Sequence, residues 1–393
     1  MSKKPVESFD TDKEPGLLNT LYQRAALNIT RNPDVFMKNF MGCLRICLTY
    51  RCNLACHSCY AEGLQKEMPQ EISPADMSRV LTWAGTQGWD KIRLLGGEPT
   101  VHPEFSRMLE MCFEEGFEVT MSTNNLYDQE LLDVLDNPLL YDISVNYSII
   151  NELDETRKKI FRENLSGLSK RRIPFGFSHI ITAAEEDDSC REIFLDASRF
   201  RPKYIRVSLE LPAVSGETAA EDIFIGKNIL FSKLDKMISM SSMMFIPFFI
   251  YRPLPQCLFS DEEWKKIKGK FPKICFARCP ITYASEDGFY TLLTINPDLT
   301  VFPCPSVFLK GPEIFSFNNR KEIEMFYKKK LAEILKKPLL GKCSSCGLYA
   351  NFIDYLQGNR GSGDTVFDDK NICQGGCANF KTARTRDIGC CQE

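Results

Sequence analysis

The sequence predicts an α/β fold of repeated βα units followed by a smaller, cysteine-rich C-terminal domain. Three observations carry this. Between Leu44 and about Ile250, short apolar runs alternate with amphipathic stretches, the pattern of strands and helices taken in turn. After Pro255 the composition shifts, and ten of the 17 cysteines fall beyond it. The chain of 393 residues, 44% hydrophobic and 26% charged, is long enough to bury two cores. It divides into an N-terminal extension (1–40), an α/β domain (41–255) and a C-terminal domain (256–393).

The extension carries Pro5, Pro15 and Pro33 among charged residues, with one helical stretch around Leu17 to Leu27. Its start is polar and lacks the apolar segment of a signal peptide. Strands are expected at Leu44–Tyr50, Lys91–Leu95, Phe117–Ser122, Tyr141–Asn146, Phe175–Ile181 and Tyr204–Leu209. Ser73 caps a helix with Pro74 in its first turn and Asp76 behind, running on through Met77–Gly88. His102-Pro103 introduces a second helix, Glu104–Glu115, and Asp154–Lys170 supplies a longer charged one. The most apolar segment, Met243–Ile250, is short and interrupted by Pro247, so no membrane span is expected. A net charge of −3 gives no general attraction for nucleic acid, and Lys170-Arg171-Arg172 reads as a solvated helix end. Many cysteines without a secretion signal point to a reducing cytoplasm and to metal ligation rather than disulfides. With only His57, His102 and His179 present, histidine-based zinc catalysis is nearly excluded.

The chemistry is organised around Cys52-Asn53-Leu54-Ala55-Cys56-His57-Ser58-Cys59, a C-x3-C-x2-C loop following directly on the first strand. Three thiolates in one loop can hold three corners of a four-iron cluster, and with no fourth cysteine nearby one iron stays open for a ligand. C-x2-C spacings also suit structural zinc, so the triplet alone leaves both readings standing. A second motif follows one strand later, where Ile92–Leu95 runs into Gly96-Gly97-Glu98-Pro99. Glycines there let the backbone approach a ligand closely, and a fixed carboxylate accepts from an ammonium group.

Together the two motifs resemble the radical S-adenosylmethionine (SAM) superfamily. The resemblance implies a partial (β/α)6 barrel and a SAM-binding [4Fe-4S] cluster on Cys52, Cys56 and Cys59. It also implies reductive cleavage of SAM to a hydrogen-abstracting 5′-deoxyadenosyl radical. Gly96, Gly97, Glu98 and Pro99 would hold the SAM amino group. The turn Met121-Ser122-Thr123-Asn124-Asn125 resembles the family's Thr-Asn-Gly-like turn near SAM, which brings in Ser122 and Asn124. Asn125 replaces the glycine, as a residue that tolerates the left-handed conformation. Ser144 and Asn146 resemble positions facing the SAM ribose or the substrate. One departure is Ser58, where the family carries a bulky residue beside the adenine, so Tyr60 or His57 would take that place. An electron donor such as flavodoxin or ferredoxin is implied.

The C-terminal third resembles the SPASM module, which holds two auxiliary [4Fe-4S] clusters. Cys343-x2-Cys346, Cys373-x3-Cys377 and the segment Asn296–Cys304, with its Pro303-Cys304 ending, carry that likeness. The family's interleaving assigns Cys275, Cys279, Cys304 and Cys377 to one cluster, with Cys257 as a competitor. It assigns Cys343, Cys346, Cys373 and either Cys390 or Cys391 to the other. Two departures stand out: Leu299 in place of the hairpin glycine, and an insertion around Gly358–Gly363. A structural zinc domain is the other reading of this region. Cys43, Cys47, Cys112 and Cys190 fit no pattern and read as buried apolar side chains. By analogy the substrate is a peptide or protein; a small metabolite such as a sugar derivative is the enzymatic alternative, and a zinc-stapled scaffold the non-enzymatic one.

Overall fold

The computed structural model describes residues 42–59, 61–68, 70–182, 189–210, 227–250, 259–270, 284–285, 288–289, 293–304, 309–335, 345–347 and 350. The first half of this span repeats a strand–helix unit. Strands β1 (Leu44–Cys47), β2 (Lys91–Leu95), β3 (Glu118–Thr123), β4 (Leu140–Asn146), β5 (Phe175–Ile181), β6 (Ile205–Leu209) and β7 (Phe248–Ile250) come in that order. Between them lie α1 (Glu62–Glu67), α2 (Pro74–Thr86), α3 (Phe105–Glu114), α4 (Leu131–Leu135), α5 (Glu155–Lys170), α6 (Ser189–Phe200) and α7 (Lys227–Met243). Beyond β7 come α8 (Asp261–Lys270), a small antiparallel pair β8 (Ala284–Ser285) and β9 (Gly288–Phe289), then β10 (Thr294–Ile295), β11 (Val301–Phe302) and α9 (Arg320–Leu335).

One sheet of nine strands organises the chain, in the order β11-β10-β1-β2-β3-β4-β5-β6-β7. β1 to β7 pair parallel throughout, β10 pairs parallel with β1, and only β11 runs antiparallel. Its outermost strands, β11 and β7, do not pair with each other, so the sheet is an open, mostly parallel α/β sheet, as a partial barrel requires.

Alternation along the strands sets what each face of the sheet meets. Leu44, Ile46, Ile92, Leu94, Val119, Met121, Ile143, Val145, Phe175, Phe177, Ile205 and Val207 are buried in one core. Val80 and Leu81 of α2, Met108 and Leu109 of α3, and Phe161 and Leu165 of α5 share it. The opposite face carries Arg45, Arg93, Thr120, Asp142, Ser144 and Arg206, all buried and all polar. Two helix starts follow the predicted chemistry: Ser73 Oγ accepts from Asp76 N–H at 3.0 Å, and Asp154 Oδ1 from Arg157 N–H at 2.8 Å.

Three sequence expectations change. A seventh parallel strand, β7, lies in the apolar segment Met243–Ile250 and pairs with β6; at three residues it is too short for period-2 alternation to declare it. β1 ends at Cys47 rather than Tyr50, because Thr49 leaves β1 to bridge Glu71 antiparallel. The hairpin expected in the C-terminal domain is hydrogen-bonded into the main sheet, with Arg45 and Ile46 opposite Thr294 and Ile295. Leu299, in the glycine position of that hairpin, adopts φ +65°, and Asn125 adopts φ +64°. A leucine held there is strained; Asn125 is eased by donating Nδ2–H to Phe161 O at 2.9 Å. Cys43, Cys47, Cys112 and Cys190 are all buried. The extension 1–40 and the insertion at 358–363 lie outside the described residues.

Candidate cofactor site at the carboxyl ends of the strands

The cysteine loop leaves β1 at the carboxyl edge of the parallel sheet, where α/β folds place their chemistry. Its entry is fastened to the Gly-Gly-Glu-Pro turn by backbone alone. Gly97 N–H donates to Thr49 O and Glu98 N–H to Arg51 O, both at 2.9 Å. The approach is so close that a Cβ on Gly96 would overlap the Thr49 carbonyl oxygen, and one on Gly97 the Tyr50 and Arg51 carbonyl oxygens. Any side chain at either position would therefore push the cysteine loop away from β2. Arg51 adds a clamp, donating from Nη2 to Val101 O at 3.0 Å and pairing through Nε with Glu71 at 2.7 Å.

Cys52, Cys56 and Cys59 are each half-buried in this loop. Burial raises the Cys52 thiol above its ordinary pKa, with Glu98 and Cys59 adding to the rise. Cys56 is pushed up to about 12 by burial, then by Glu152 and the other two thiols. The three sulfurs thus feel one another, and bound metal cations would reverse the shifts by holding thiolates. Among the described residues, no three His, Cys, Asp or Glu side chains converge on a point as a single metal ion requires. Three cysteine thiolates in one loop are the donor set a four-iron cluster takes, one to each of three irons, so the chemistry of the donors fits that group. Midway along the loop, His57 N–H donates to Glu152 Oε2 at 3.0 Å.

Glu98 is almost fully buried, and its carboxylate is engaged within the protein. Oε1 accepts from Thr100 N–H (3.2 Å), Thr100 Oγ1–H (2.8 Å) and Thr123 Oγ1–H (2.9 Å); Oε2 accepts from Asn124 N–H at 2.6 Å. Burial raises its pKa, and these donors offset the rise in part. Through these bonds the carboxylate also ties the ends of β2 and β3 together. Pro99 opens the short 3-10 turn Pro99–Val101 behind it.

Other expected positions are placed as follows. Asn124 is buried, with Nδ2 2.5 Å from Asn53 Oδ1 and 3.9 Å from Cys52 Sγ. Ser122 accepts from Arg93 Nη2 at 2.9 Å, and Ser144 stands opposite it in register. Asn146 Oδ1 accepts from Ser148 N–H at 3.3 Å and starts the turn after β4. Tyr60 lies outside the described residues, as do Cys257, Cys275, Cys279, Cys343, Cys373, Cys377, Cys390 and Cys391. Cys304 and Cys346 are described and half-buried. Sequence reasoning missed Thr123, Asn53 and Glu152. Thr123 and Asn53 sit inside motifs already singled out; nothing local marks Glu152.

Deeper in the sheet, Tyr204 donates to Asp142 Oδ2 at 2.6 Å. Burial raises the Asp142 pKa, while Lys203, the Tyr204 hydroxyl, Arg93 and Arg206 pull it back. Tyr50, just before the cysteine loop, donates to Asn296 Oδ1 at 2.7 Å and so ties the loop's base to the C-terminal hairpin.

Comparison with known proteins agrees with this geometry. The sequence model of the radical SAM superfamily matches residues 46–170. A probable GTP 3′,8-cyclase of Methanothermobacter marburgensis is 30% identical over 122 residues, 31% of this chain and 39% of that protein. The chain spans less than two thirds of the length of such curated relatives. Among solved structures, Streptococcus suis SuiB bound to its precursor peptide SuiA superposes with a TM-score of 0.57 at 14% identity, covering 100% of this chain and 84% of that one. Native anSMEcpe with bound AdoMet gives 0.59 at 13% identity, covering 88% and 92%. At such identities these structures speak for the fold. Residues 46–170 form a radical SAM superfamily domain.

Proposed function

We propose that this chain is a radical SAM enzyme that acts on a peptide or protein side chain, oxidising or cross-linking it. The observation that carries the catalytic part is the loop of Cys52, Cys56 and Cys59 fastened by Gly96 and Gly97 at the carboxyl edge of the sheet. When bound there, the cluster supplies the electron that cleaves SAM and so provides the hydrogen-abstracting radical. The chain's own residues do the rest. The three cysteines would hold the cluster, and the Gly96–Gly97 backbone, brought close to the loop by the absence of side chains, would leave room for SAM beside it. Ser122, Asn124, Ser144 and Asn146 offer polar groups along the same edge. Pro99 and, outside the described residues, Tyr60 complete the SAM positions taken from the family pattern.

The peptide part leans on the likeness to SuiB along the whole chain and on the cysteine pattern of the C-terminal third. There Cys275, Cys279, Cys304 and Cys377, and Cys343, Cys346, Cys373 and Cys390 or Cys391, would hold two auxiliary clusters within a domain at 256–393. A cytoplasmic setting with flavodoxin or ferredoxin as donor goes with this reading. A second reading is a small anionic metabolite. Two observations favour it: a curated relative is named as a probable GTP 3′,8-cyclase, and Arg45, Arg93 and Arg206 are buried on the face of the sheet opposite the helices.

The test is iron and sulfide per chain after anaerobic reconstitution, with 5′-deoxyadenosine release as the second readout. Wild type is expected to hold about twelve irons, and the variant with Cys52, Cys56 and Cys59 all changed to alanine about eight. SAM cleavage is lost in that variant. Retained cleavage would remove the cysteine loop from the reaction, and about four irons in wild type would leave the C-terminal third without clusters. Incubation with candidate peptides, against nucleotides, then separates the two substrate classes.

A further inference from the structure

The side chain of Asn124 is fixed in a way that reading it as a SAM contact does not use. Its backbone N–H is held by Glu98 Oε2 at 2.6 Å, so the residue cannot slide relative to the Gly-Gly-Glu-Pro turn. Its side-chain oxygen accepts from Leu126 N–H at 3.0 Å. A backbone N–H can only donate, so that contact decides the orientation of the amide: the oxygen faces Leu126 and the NH2 group faces the cysteine loop. One of the two amide hydrogens goes to Asn53 Oδ1, 2.5 Å away. Cys52 Sγ lies 3.9 Å from the same nitrogen, within reach of the other. Asn53 itself is held from the far side, donating from Nδ2 to Leu126 O at 3.2 Å. Asn124 is 6% exposed, so water does not compete freely for its donor.

We propose that Asn124 is a positioning residue that donates an N–H···S hydrogen bond to Cys52 and thereby raises the reduction potential of the cluster held by the cysteine loop. The proposal rests on the cluster reading above. Hydrogen bonds to the sulfurs and net charge are the protein's main levers on such a potential. A donor to the ligand sulfur draws negative charge from it, so accepting one more electron from a low-potential carrier becomes easier. Glu98 works on the same bond at one remove: buried beneath the turn, it anchors the residue that reaches the thiolate. The two sequence motifs are thus linked by a chain of three contacts, Glu98 to Asn124, Asn124 to Asn53, and Asn124 to Cys52.

The experiment is a potentiometric titration of the reconstituted full chain without SAM, followed by electron paramagnetic resonance. The signal of interest is the one missing from the triple-alanine variant, which separates it from any auxiliary cluster. Asn124→Ala removes the donor, and its midpoint is expected to move to more negative potential. Asn124→Asp keeps the oxygen that caps Leu126 but replaces the donor by a carboxylate, so its midpoint moves further in the same direction. Asn53→Ala leaves the Asn124 donor in place and shifts the midpoint least. An unchanged or more positive midpoint in Asn124→Ala overturns the proposal, as does loss of the signal in both Asn124 variants, which would make the residue one of assembly. A wild type with no signal that depends on the three cysteines defeats the cluster reading itself, a different and recognisable outcome.

Discussion

The two faces of the central sheet are both largely buried and differ in chemistry. Ile92 and Leu94 on one face of β2 pack into the core shared with the helices, while Arg93 between them turns to the other face and donates to Ser122. The same split recurs on β4, where Ile143 and Val145 flank Ser144, and on β6, where Ile205 and Val207 flank Arg206. Apolar burial needs no partner, only volume; polar burial needs specific partners and costs several times more when one is missing. The sheet accepts that cost at Arg93, Ser144 and Arg206, on the face that leads up to the cysteine loop. The largest expected effect comes from breaking the apolar face. Phe161 on α5 is fully buried, with its ring edge-on to Tyr147 at 5.8 Å. Phe161→Ala should cost about 3–5 kcal/mol in urea unfolding. SAM cleavage per folded molecule should be nearly unchanged, because the ring belongs to the core shared with the helices and not to the polar face.

The polar face is packed as tightly, and Gly176 tests that. In β5 it stands level with Ser144, and a Cβ there would run into the Tyr204 ring. Gly176→Ala should therefore displace Tyr204 and cost up to about 3 kcal/mol, the range for overpacking. Unlike the Phe161 change, it should also alter SAM affinity or cleavage, since the displaced ring belongs to the polar face. A variant as stable and as active as wild type would mean that this face has slack.

Much of this contrast was visible in the sequence, for unequal reasons. The strands of the apolar face declared themselves by alternation, so β2 and β5 were placed residue for residue. Ser73 and Asp154 marked their helices because capping is a local matter of one side chain and the next turn. The cysteine loop and the Gly-Gly-Glu-Pro turn were legible because their spacing is itself the chemistry. What connects them was not. Glu98 meets Thr123 and Asn124 across 25 and 26 positions of sequence, and Glu152 reaches His57 across 95. The role of Glu98 as a tie between strands follows from burial, which no pattern in the segment announces. β7 carries no such signal, because three apolar residues after Pro247 have no period.

The smallest effect is the most discriminating. Tyr204 is a buried phenol bonded to Asp142, and burial raises the pKa of both groups. The sign for Asp142 follows from linkage. With its folded pKa above the unfolded value of about 4, the native state holds the proton more tightly, so its contribution to stability is fully present below pH about 4. That contribution is lost as pH rises through the folded value. Tyr204→Phe removes a donor that favours the charged carboxylate, which raises the folded pKa of Asp142 further. The substitution should cost roughly 1 kcal/mol at the acid end of the native range and more at the alkaline end, because an ionised Asp142 needs the hydroxyl donor more than the protonated acid does. Urea midpoints of wild type and Tyr204→Phe at the two ends read this directly. A difference that is independent of pH would mean that Arg93, Arg206 and Lys203 already hold Asp142 charged throughout, and the polar face would then be an ion-paired core and not a face that exchanges protons.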